Sequence, residues 1–242
     1  MKQNRIMFAA LAVAALLMTS CGKDSQGFDS FVLSTADFND ANGSKAHWDA
    51  SGYWWENATS STDPTCDAVL INGTSHNIYY DGTNHLWKTH GDAVSPDGGY
   101  FYVVYAGSMT PSNYSSRTYG PVTFDGTFVP LSAKGQGNSL TLYPCCAVLK
   151  VNQQVPIRFT ITSGSIATGG YIDADNNEII NSTGTTNLIA KNKYCANVGG
   201  YYYYVVPIVG NELVCSQIKF NTTKTNAASI TLTKGNVYTV NL

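Results

Sequence analysis

The sequence carries little charge. Lys, Arg, Asp and Glu together make up 12% of its 242 residues, about half the share that is usual in soluble proteins. It contains no basic cluster, which disfavours nucleic acid and anionic lipid as electrostatic partners. Tyr, Thr, Ser, Asn and Gly take the place of the missing charge, and this mixture is typical of neither a helical nor a disordered chain. The composition therefore predicts an exported all-β protein.

Catalytic motifs are also missing. The sequence contains no GxSxG elbow, P-loop, GxGxxG or HExxH, the short patterns that carry common enzyme chemistries. It has no CxxC, and its four histidines are scattered through the first half. A nucleophilic Cys145 or Cys146 would need a positioned histidine, so a structural role is favoured for both. We predict no enzyme activity, no cofactor and no metal site.

One acidic segment resembles a calcium loop. Residues 173–178 read Asp-Ala-Asp-Asn-Asn-Glu. The loop's glycine is missing at its sixth position, which Glu178 occupies, and its final glutamate is replaced by Gly184. We interpret the segment as a hairpin turn, with a calcium site as the alternative.

Long apolar runs are confined to the amino terminus. Lys2 and Arg5 precede an uninterrupted apolar run over residues 6–18, which is too short for the roughly 20 residues that a membrane-spanning helix needs. A positive head, a short apolar middle and small residues before the cut are typical of a secretory signal. We therefore predict a signal peptide over residues 1–20.

The residues at the end of this signal resemble the lipobox of bacterial lipoproteins. They read Met-Thr-Ser-Cys, ending at Cys21. In lipoproteins the signal is cut before the cysteine, which then carries lipid on its sulfur and on its new amino group. Several acyl chains together hold a protein on a membrane. The resemblance predicts a lipidated Cys21 followed by a spacer over residues 21–27, with an ordinary cleaved signal as the alternative.

Removal of the signal changes the charge and the cysteine count. It takes away two of the 14 basic residues and none of the 16 acidic ones, which leaves a net charge of −4. Setting Cys21 aside leaves five cysteines, so at least one is unpaired or bridges elsewhere. Cys145 and Cys146 are adjacent and would point to opposite faces of a strand. Cys195 and Cys215 flank one long strand and are the candidate disulfide pair.

Short aromatic and β-branched segments, separated by Gly, Asn and Asp, fill the rest of the chain. Strands spaced in this way predict a β-sandwich. Asn72-Gly73 is a strong hairpin signal, and residues 100–105 and 201–209 are apolar on both faces, which is typical of central strands. The other predicted strands cover residues 28–33, 67–71, 78–80, 85–87, 122–131 as a pair, 139–143, 146–151, 156–162, 166–173, 178–180, 217–220, 228–233 and 237–242.

A polar segment divides the chain. Residues 134–138 contain two glycines and no apolar side chain, a composition that is typical of a domain boundary. It predicts an N-terminal domain over residues 28–138 and a C-terminal domain over residues 139–242.

In order and spacing, several segments resemble the fimbrillin family, the pilin-like surface lipoproteins of Bacteroides-type bacteria. The best match is Ser-Leu-Thr-Leu-Tyr-Pro-Cys-Cys-Ala-Val-Leu-Lys-Val at residues 139–151. Gly107 departs from the family, which usually has proline there. The other matching segments are the lipobox with its spacer and residues 45–48, 66–73, 99–106, 201–207 and 234–242.

The resemblance implies two tandem β-sandwich domains of transthyretin-like topology. It also implies a non-enzymatic component of surface fimbriae that is lipid-anchored at the outer membrane and acts in adhesion with other fimbrial subunits. In this family a protease removes the first strand, and a neighbour's terminal strand fills the groove. Two departures favour a tip or anchor subunit over a stalk. Family stalks are commonly trimmed after an arginine, but the first arginine after Cys21 is Arg117, far past the first strand. The chain also has no extra strand to donate beyond residues 237–242.

A surface glycan-binding lipoprotein that does not polymerise is the alternative. Trp54, Trp55 and Trp87 are the candidate residues for stacking on a sugar ring, although core packing is favoured for most tryptophans. An exposed coplanar aromatic row would favour this alternative. An apolar groove covered by residues 28–33 would favour the hypothesis of a fimbrial subunit.

Overall fold

The computed structural model of the chain describes residues 27–36, 38–40, 45–46, 68–81, 86–107, 113–115, 117–126, 128–185, 189–190, 194, 196–221, 224–226 and 229–242. Every regular element in these ranges is a β-strand, which confirms the predicted all-β class. None of the residues described forms a helix long and apolar enough to cross a membrane. The predicted signal peptide, Cys21, Trp54, Trp55 and Cys195 lie outside the described residues.

The strands are short and follow one another closely. In chain order they are β1 (Val32–Thr35), β2 (Phe38–Asp40), β3 (Lys45–Ala46), β4 (Ala68–Ile71), β5 (Thr74–Asp81), β6 (Leu86–His90), β7 (Phe101–Tyr105), β8 (Asn113–Tyr114), β9 (Thr118–Thr123), β10 (Leu131–Gly135), β11 (Ser139–Pro144), β12 (Cys146–Val151), β13 (Ile157–Ser163), β14 (Ile166–Asp173), β15 (Glu178–Thr185), β16 (Ile189–Ala190), β17 (Ala196–Val198), β18 (Tyr201–Pro207), β19 (Glu212–Phe220), β20 (Lys224–Asn226), β21 (Ile230–Thr233) and β22 (Asn236–Val240).

Seven strands form a closed sheet in the order β1-β11-β10-β7-β4-β5-β6, with β6 pairing back to β1. The predicted hairpin between β4 and β5 is confirmed. Asn72 and Gly73 have φ values of 46° and 82°, the left-handed conformations that a two-residue hairpin turn requires and that Asn-Gly adopts readily. The interior holds large apolar side chains, among them Phe31, Leu33, Ile71, Ile78, Phe101, Val103 and Leu131.

A second sheet has six strands in the order β17-β18-β12-β22-β2-β3. Its two faces contribute side chains to two different cores. Side chains alternate along a strand, so Cys146 and Val148 of β12 enter the core of the closed sheet while Ala147 and Leu149 enter a second core. The far side of that second core is formed by the sheet β16-β13-β19-β20 with β21.

A four-stranded sheet, β15-β14-β9-β8, covers the outside of the closed sheet. Val122 and Ile172 of this sheet join Tyr102 and Val104 of β7 in a third core. Strand β7 is therefore buried on both faces, as its apolar sequence predicts, and it pairs with a strand on each side. Strand β18 also lies between two strands, β12 and β17, which confirms its predicted central position.

The predicted strand pair over residues 122–131 is wrong. Thr123 ends β9 in the four-stranded sheet, whereas Leu131 begins β10 in the closed sheet. Gly126, with φ of 87°, lies on the segment that carries the chain from one sheet to the other.

Strand pairing crosses the predicted boundary at residues 134–138. Residues 136–138 join β10 to β11, which pair with each other inside one closed sheet, and Gly137 has φ of 81°. Hairpin turns and linkers share the same polar, glycine-rich composition. Crossings occur elsewhere too, because β2 pairs with β22 and β9 pairs with β14.

Candidate functional site

The strand that closes the seven-stranded sheet is the first one in the described chain. Strand β1 lies between β6 and β11, antiparallel to β6 and parallel to β11. The pairing with β11 covers the whole strand, from Val32 opposite Ser139 to Thr35 opposite Leu142. The pairing with β6 is limited to two residues, Val32 opposite Lys88 and Leu33 opposite Trp87. A strand near the chain's amino end therefore fills a gap between two neighbours.

Hydrogen bonds hold the segment that consists of Phe31 and β1 against both of its neighbours. On the β6 side, the amide of Thr89 donates to the carbonyl oxygen of Phe31 at 2.9 Å, and the amide of Phe31 donates to the buried Oγ1 of Thr89 at 3.0 Å. On the β11 side, the amide of Val32 donates to the carbonyl oxygen of Asn138 at 2.8 Å. Sequence reasoning missed Thr89 and Asn138, whose polar side chains give no signal of this role.

The inward side chains of the segment enter the largest core. Phe31 and Leu33 are 1% and 0% exposed, and the Phe31 ring lies 5.1 Å from that of Phe101, centre to centre. Burying an apolar side chain of this size stabilises the fold by about 1.5–3 kcal/mol. The predicted first strand at residues 28–33 is displaced, since β1 begins at Val32. Phe28 instead forms an isolated bridge with Val94.

Removing the segment would leave two defects in the closed sheet. Strands β6 and β11 would each present unpaired backbone groups, which are a ready template for another strand. The space of Phe31 and Leu33 would become an apolar slot between those two edges. An empty slot with two open edges is the arrangement that binds an extended peptide by strand addition.

Trp87, one candidate for sugar stacking, belongs to the wall of this site. Its side chain is only 2% exposed and packs in the core of the closed sheet. It therefore presents no ring face to a glycan. Trp54 and Trp55 lie outside the described residues, and for them the stacking role stays a prediction.

The adjacent cysteines point into different cores, as predicted, although Cys145 lies between β11 and β12 and only Cys146 belongs to a strand. Cys145 enters the third core and Cys146 the first, and both are fully buried. The Sγ of Cys145 donates to the Oδ1 of Asn177 at 3.0 Å. Cys215 is a free, buried thiol, and Cys195 lies outside the described residues, so the Cys195–Cys215 disulfide stays a prediction.

Burial suppresses the reactivity of two of these thiols. It raises the pKa of Cys145 to about 12 and that of Cys215 to about 11. Because the thiolate is the reactive form, we expect iodoacetamide to alkylate both thiols of the reduced protein at least ~100-fold more slowly in the native state than in urea at pH 8. Mass spectrometry of the digested protein measures this. Native labelling at the rate of the unfolded chain would contradict the buried positions.

The acidic segment at residues 173–178 is a hairpin turn, as we interpreted it. Residues 174–177 join β14 to β15. One carboxylate of the turn accepts hydrogen bonds within it: Oδ1 of Asp173 from the amide of Asp175, and Oδ2 of Asp173 from Nδ2 of Asn176. Within the described ranges, no three His, Cys, Asp or Glu side chains are grouped so as to hold a metal ion.

A second surface of interest lies on the six-stranded sheet. Tyr201 and Tyr203 are two residues apart on β18 and are half-buried on the same face. The Nζ of Lys150, on the neighbouring strand β12, lies 4.5 Å from the ring centre of Tyr201 and 5.9 Å from that of Tyr203. Such an arrangement offers both ring surface and a positive charge.

Comparison with known proteins gives structural neighbours only. No protein-family model matches the sequence, and neither does any curated protein sequence. A protein from Bacteroides uniformis, provisionally described as a cell adhesion protein, is similar with a TM-score of 0.44 and 10% identity over 91% of this chain and 94% of its own.

Two further solved structures are similar at a lower level. One, from Bacteroides thetaiotaomicron and also provisionally described as a cell adhesion protein, has a TM-score of 0.38 and 12% identity over 89% of this chain and 92% of its own. A fimbrial protein from Bacteroides ovatus has a TM-score of 0.33 and 10% identity over 88% of this chain and 48% of its own.

Proposed function

We propose that this chain is a lipid-anchored subunit of cell-surface fimbriae that acts in adhesion and assembles with other fimbrial subunits by strand exchange. The observation that carries the proposal is the position of β1. It closes the sheet between β6 and β11 and buries Leu33, next to the buried Phe31 that precedes it, so a strand from another subunit is able to replace this segment by the same backbone pairing and side-chain burial.

The site of cleavage decides whether β1 is released. Lys23 precedes β1, whereas Lys45 lies in β3, so a cut after Lys45 detaches β1 and a cut after Lys23 leaves it in place. A cut after Arg117, the first arginine past Cys21, would remove most strands of the closed sheet along with β1. Family stalks are trimmed after an arginine, so we propose a terminal subunit, a tip or an anchor, in preference to a stalk.

The finer architecture belongs to the same proposal. We propose two sandwich-like units of the transthyretin type, the first around the closed sheet and the second between the six-stranded sheet and the sheet of β13 and β19. Lipid on Cys21 would place both at the outer membrane, facing the cell surface.

We further propose that the role is not catalytic. The buried Cys145 thiol hydrogen-bonds to Asn177 and contacts Ser132 at 3.7 Å. Neither of these partners is the histidine base that a cysteine nucleophile requires.

A glycan-binding role is the second candidate, and the pair Tyr201 and Tyr203 with Lys150 favours it. Sugar rings stack on aromatic faces, and the ammonium of Lys150 would add affinity for an acidic sugar. Loss of cell adhesion in Tyr201→Ala and Tyr203→Ala variants that still join fimbriae would support this role in addition to assembly.

Mass spectrometry of the native chain tests the main proposal. We expect the protein at the membrane to begin at an acylated Cys21, and copies in sheared fibres whose β1 has been exchanged to begin after Lys45. A chain that begins at another residue without acyl groups and never accompanies fimbrial subunits would contradict the proposal.

A further inference from the structure

Among the residues described, one buried polar side chain in the closed sheet has ring nitrogens without a hydrogen-bond partner. His76 of β5 is 0% exposed, and neither its Nδ1 nor its Nε2 has a hydrogen-bond partner among the residues described. Most buried polar atoms in folded proteins do have one, and an exception needs an explanation. Nothing in the pairing of β5 with its neighbours requires a histidine here, because Ile78, two residues on, fills the same interior with an apolar side chain.

His76 lies directly against the segment that closes the sheet. Its ring is edge-on to the ring of Phe31, with 5.7 Å between the centres. On its other side, a Cβ at Gly91 would lie only 2.8 Å from Nδ1 of His76, so the absence of a side chain at Gly91 makes room for the ring. The amide of Gly91 in turn donates to the carbonyl oxygen of Asp29 at 3.2 Å. The imidazole therefore lies against Phe31, just before β1, and against Gly91, just after β6.

Few charged groups act on the His76 ring. Asp29, from the segment before β1, and Asp92, after β6, favour the protonated ring; the backbone at Asp92 also favours it, and His90 at the end of β6 opposes it. Burial outweighs the two carboxylates and lowers the pKa of His76 below its usual 6.5. The closed sheet therefore holds the neutral imidazole.

We propose that His76 is an acid-sensitive latch for β1. When the imidazole takes up a proton from solvent, the imidazolium lies in an apolar core, where the backbone at Asp92 favours the charged ring by hydrogen bonding but does not offset the cost of burial. Phe31 and Gly91 lie against the ring, so we infer that the imidazolium reaches water by displacing the start of the chain from Gly91. Protonation therefore weakens the contact of β1 with β6, while the parallel pairing with β11 does not involve the ring.

The direction of the pH dependence follows from linkage. With β1 detached, the hydrated ring titrates near 6.5, so the open state binds more protons than the closed state below that pH. The ratio of open to closed sheet then rises by up to about tenfold for each unit of pH below 6.5, until the pKa of the closed state is reached. Above about pH 7 the ratio no longer changes through this group.

This inference goes beyond the proposed function. The expected release of β1 in acid depends only on the position of His76. The consequence that mild acid would favour strand exchange rests on the proposed function.

Amide hydrogen exchange in the full chain tests the latch. Protection factors, corrected for the intrinsic pH dependence of exchange, would be measured between about pH 5 and pH 7.5 for the amides of Phe31, Thr89 and Gly91. We expect protection to fall by up to about tenfold per unit below pH 6.5, while amides between β13 and β19 change far less. His76→Phe should remove this slope, and His90→Gln, at an exposed position on β6, should keep it.

Two results would overturn the latch: a flat profile in the unmodified protein, or an unchanged slope in His76→Phe. If His76→Phe does not fold, His76→Leu replaces it, and an imidazole pKa at or above 6.5, measured by NMR in the unmodified protein, overturns the proposal by itself. A slope that depends on His76, without any uptake of a strand peptide in acid, would keep the latch and count against strand exchange.

Discussion

Replacing Leu33 by Asp should lower the free energy of unfolding by about 4 kcal/mol or more. Truncating a buried leucine alone costs about 2–5 kcal/mol, and an unpaired carboxylate in an apolar core adds a large further cost. Because Leu33 is 0% exposed inside the closed sheet, the charge has no water to reach while β1 stays in place. Urea denaturation measures the loss, and protease sensitivity around residues 28–36 shows whether β1 leaves by itself.

Ser34→Asp is the matched control. It introduces the same aspartate one residue along the same strand, where the side chain lies on the other face. The Oγ of Ser34 is 3.0 Å from Oγ1 of Thr141 there. We expect a loss of about 1 kcal/mol or less. Equal stability of the Leu33→Asp and Ser34→Asp variants would show that β1 does not contribute to the core as described.

Deleting residues 28–36 should turn the chain into a self-associating protein. The deletion opens β6 and β11 at once and uncovers the slot of Phe31 and Leu33, and exposed edges of this kind pair with other chains. We expect association of the truncated protein in about the micromolar range, seen by light scattering as particles larger than the intact chain.

A chain that lacks only residues 21–26 is the control, since it keeps β1 and should match the intact protein in size. A truncated chain that stays folded and keeps the size of this control would argue against open edges. It would show that the remaining strands close the gap by themselves.

The sequence predicted much of the fold because local patterns determined it. Cys145 and Cys146 enter different cores, as predicted, and Asn72-Gly73 marked a hairpin that the left-handed φ values confirm. The all-apolar segment at residues 100–105 was correctly identified as central, since both faces of β7 are covered.

Non-local pairing accounts for what the sequence did not predict. The polar residues at 134–138 have the composition of a linker but form a turn within one sheet. The parallel pairing of β1 with β11, more than a hundred residues away, leaves no local pattern. Sequence reasoning left stacking on a sugar open for Trp87 beside the favoured core packing, and its burial depends on strands from elsewhere in the chain.

His76 illustrates the same limit from the functional side. Its neighbours along the chain are polar residues of an ordinary strand, and no motif includes it. Only the closed sheet brings its ring against Phe31 and Gly91. A site of this kind depends on burial and on the absence of a partner, neither of which can be deduced from the sequence.

The most direct test of the central claim is exchange of β1 in the folded protein. A protease site placed between Ala36 and β2 allows the folded chain to be cut without prior unfolding, and a fluorescent peptide with the sequence of residues 27–36 is then added in excess. We expect the cut protein to take up one labelled peptide per chain and the uncut protein to take up none, and we expect a peptide with Leu33→Asp not to bind. A cut protein that loses its own first strand and still binds no peptide would contradict it.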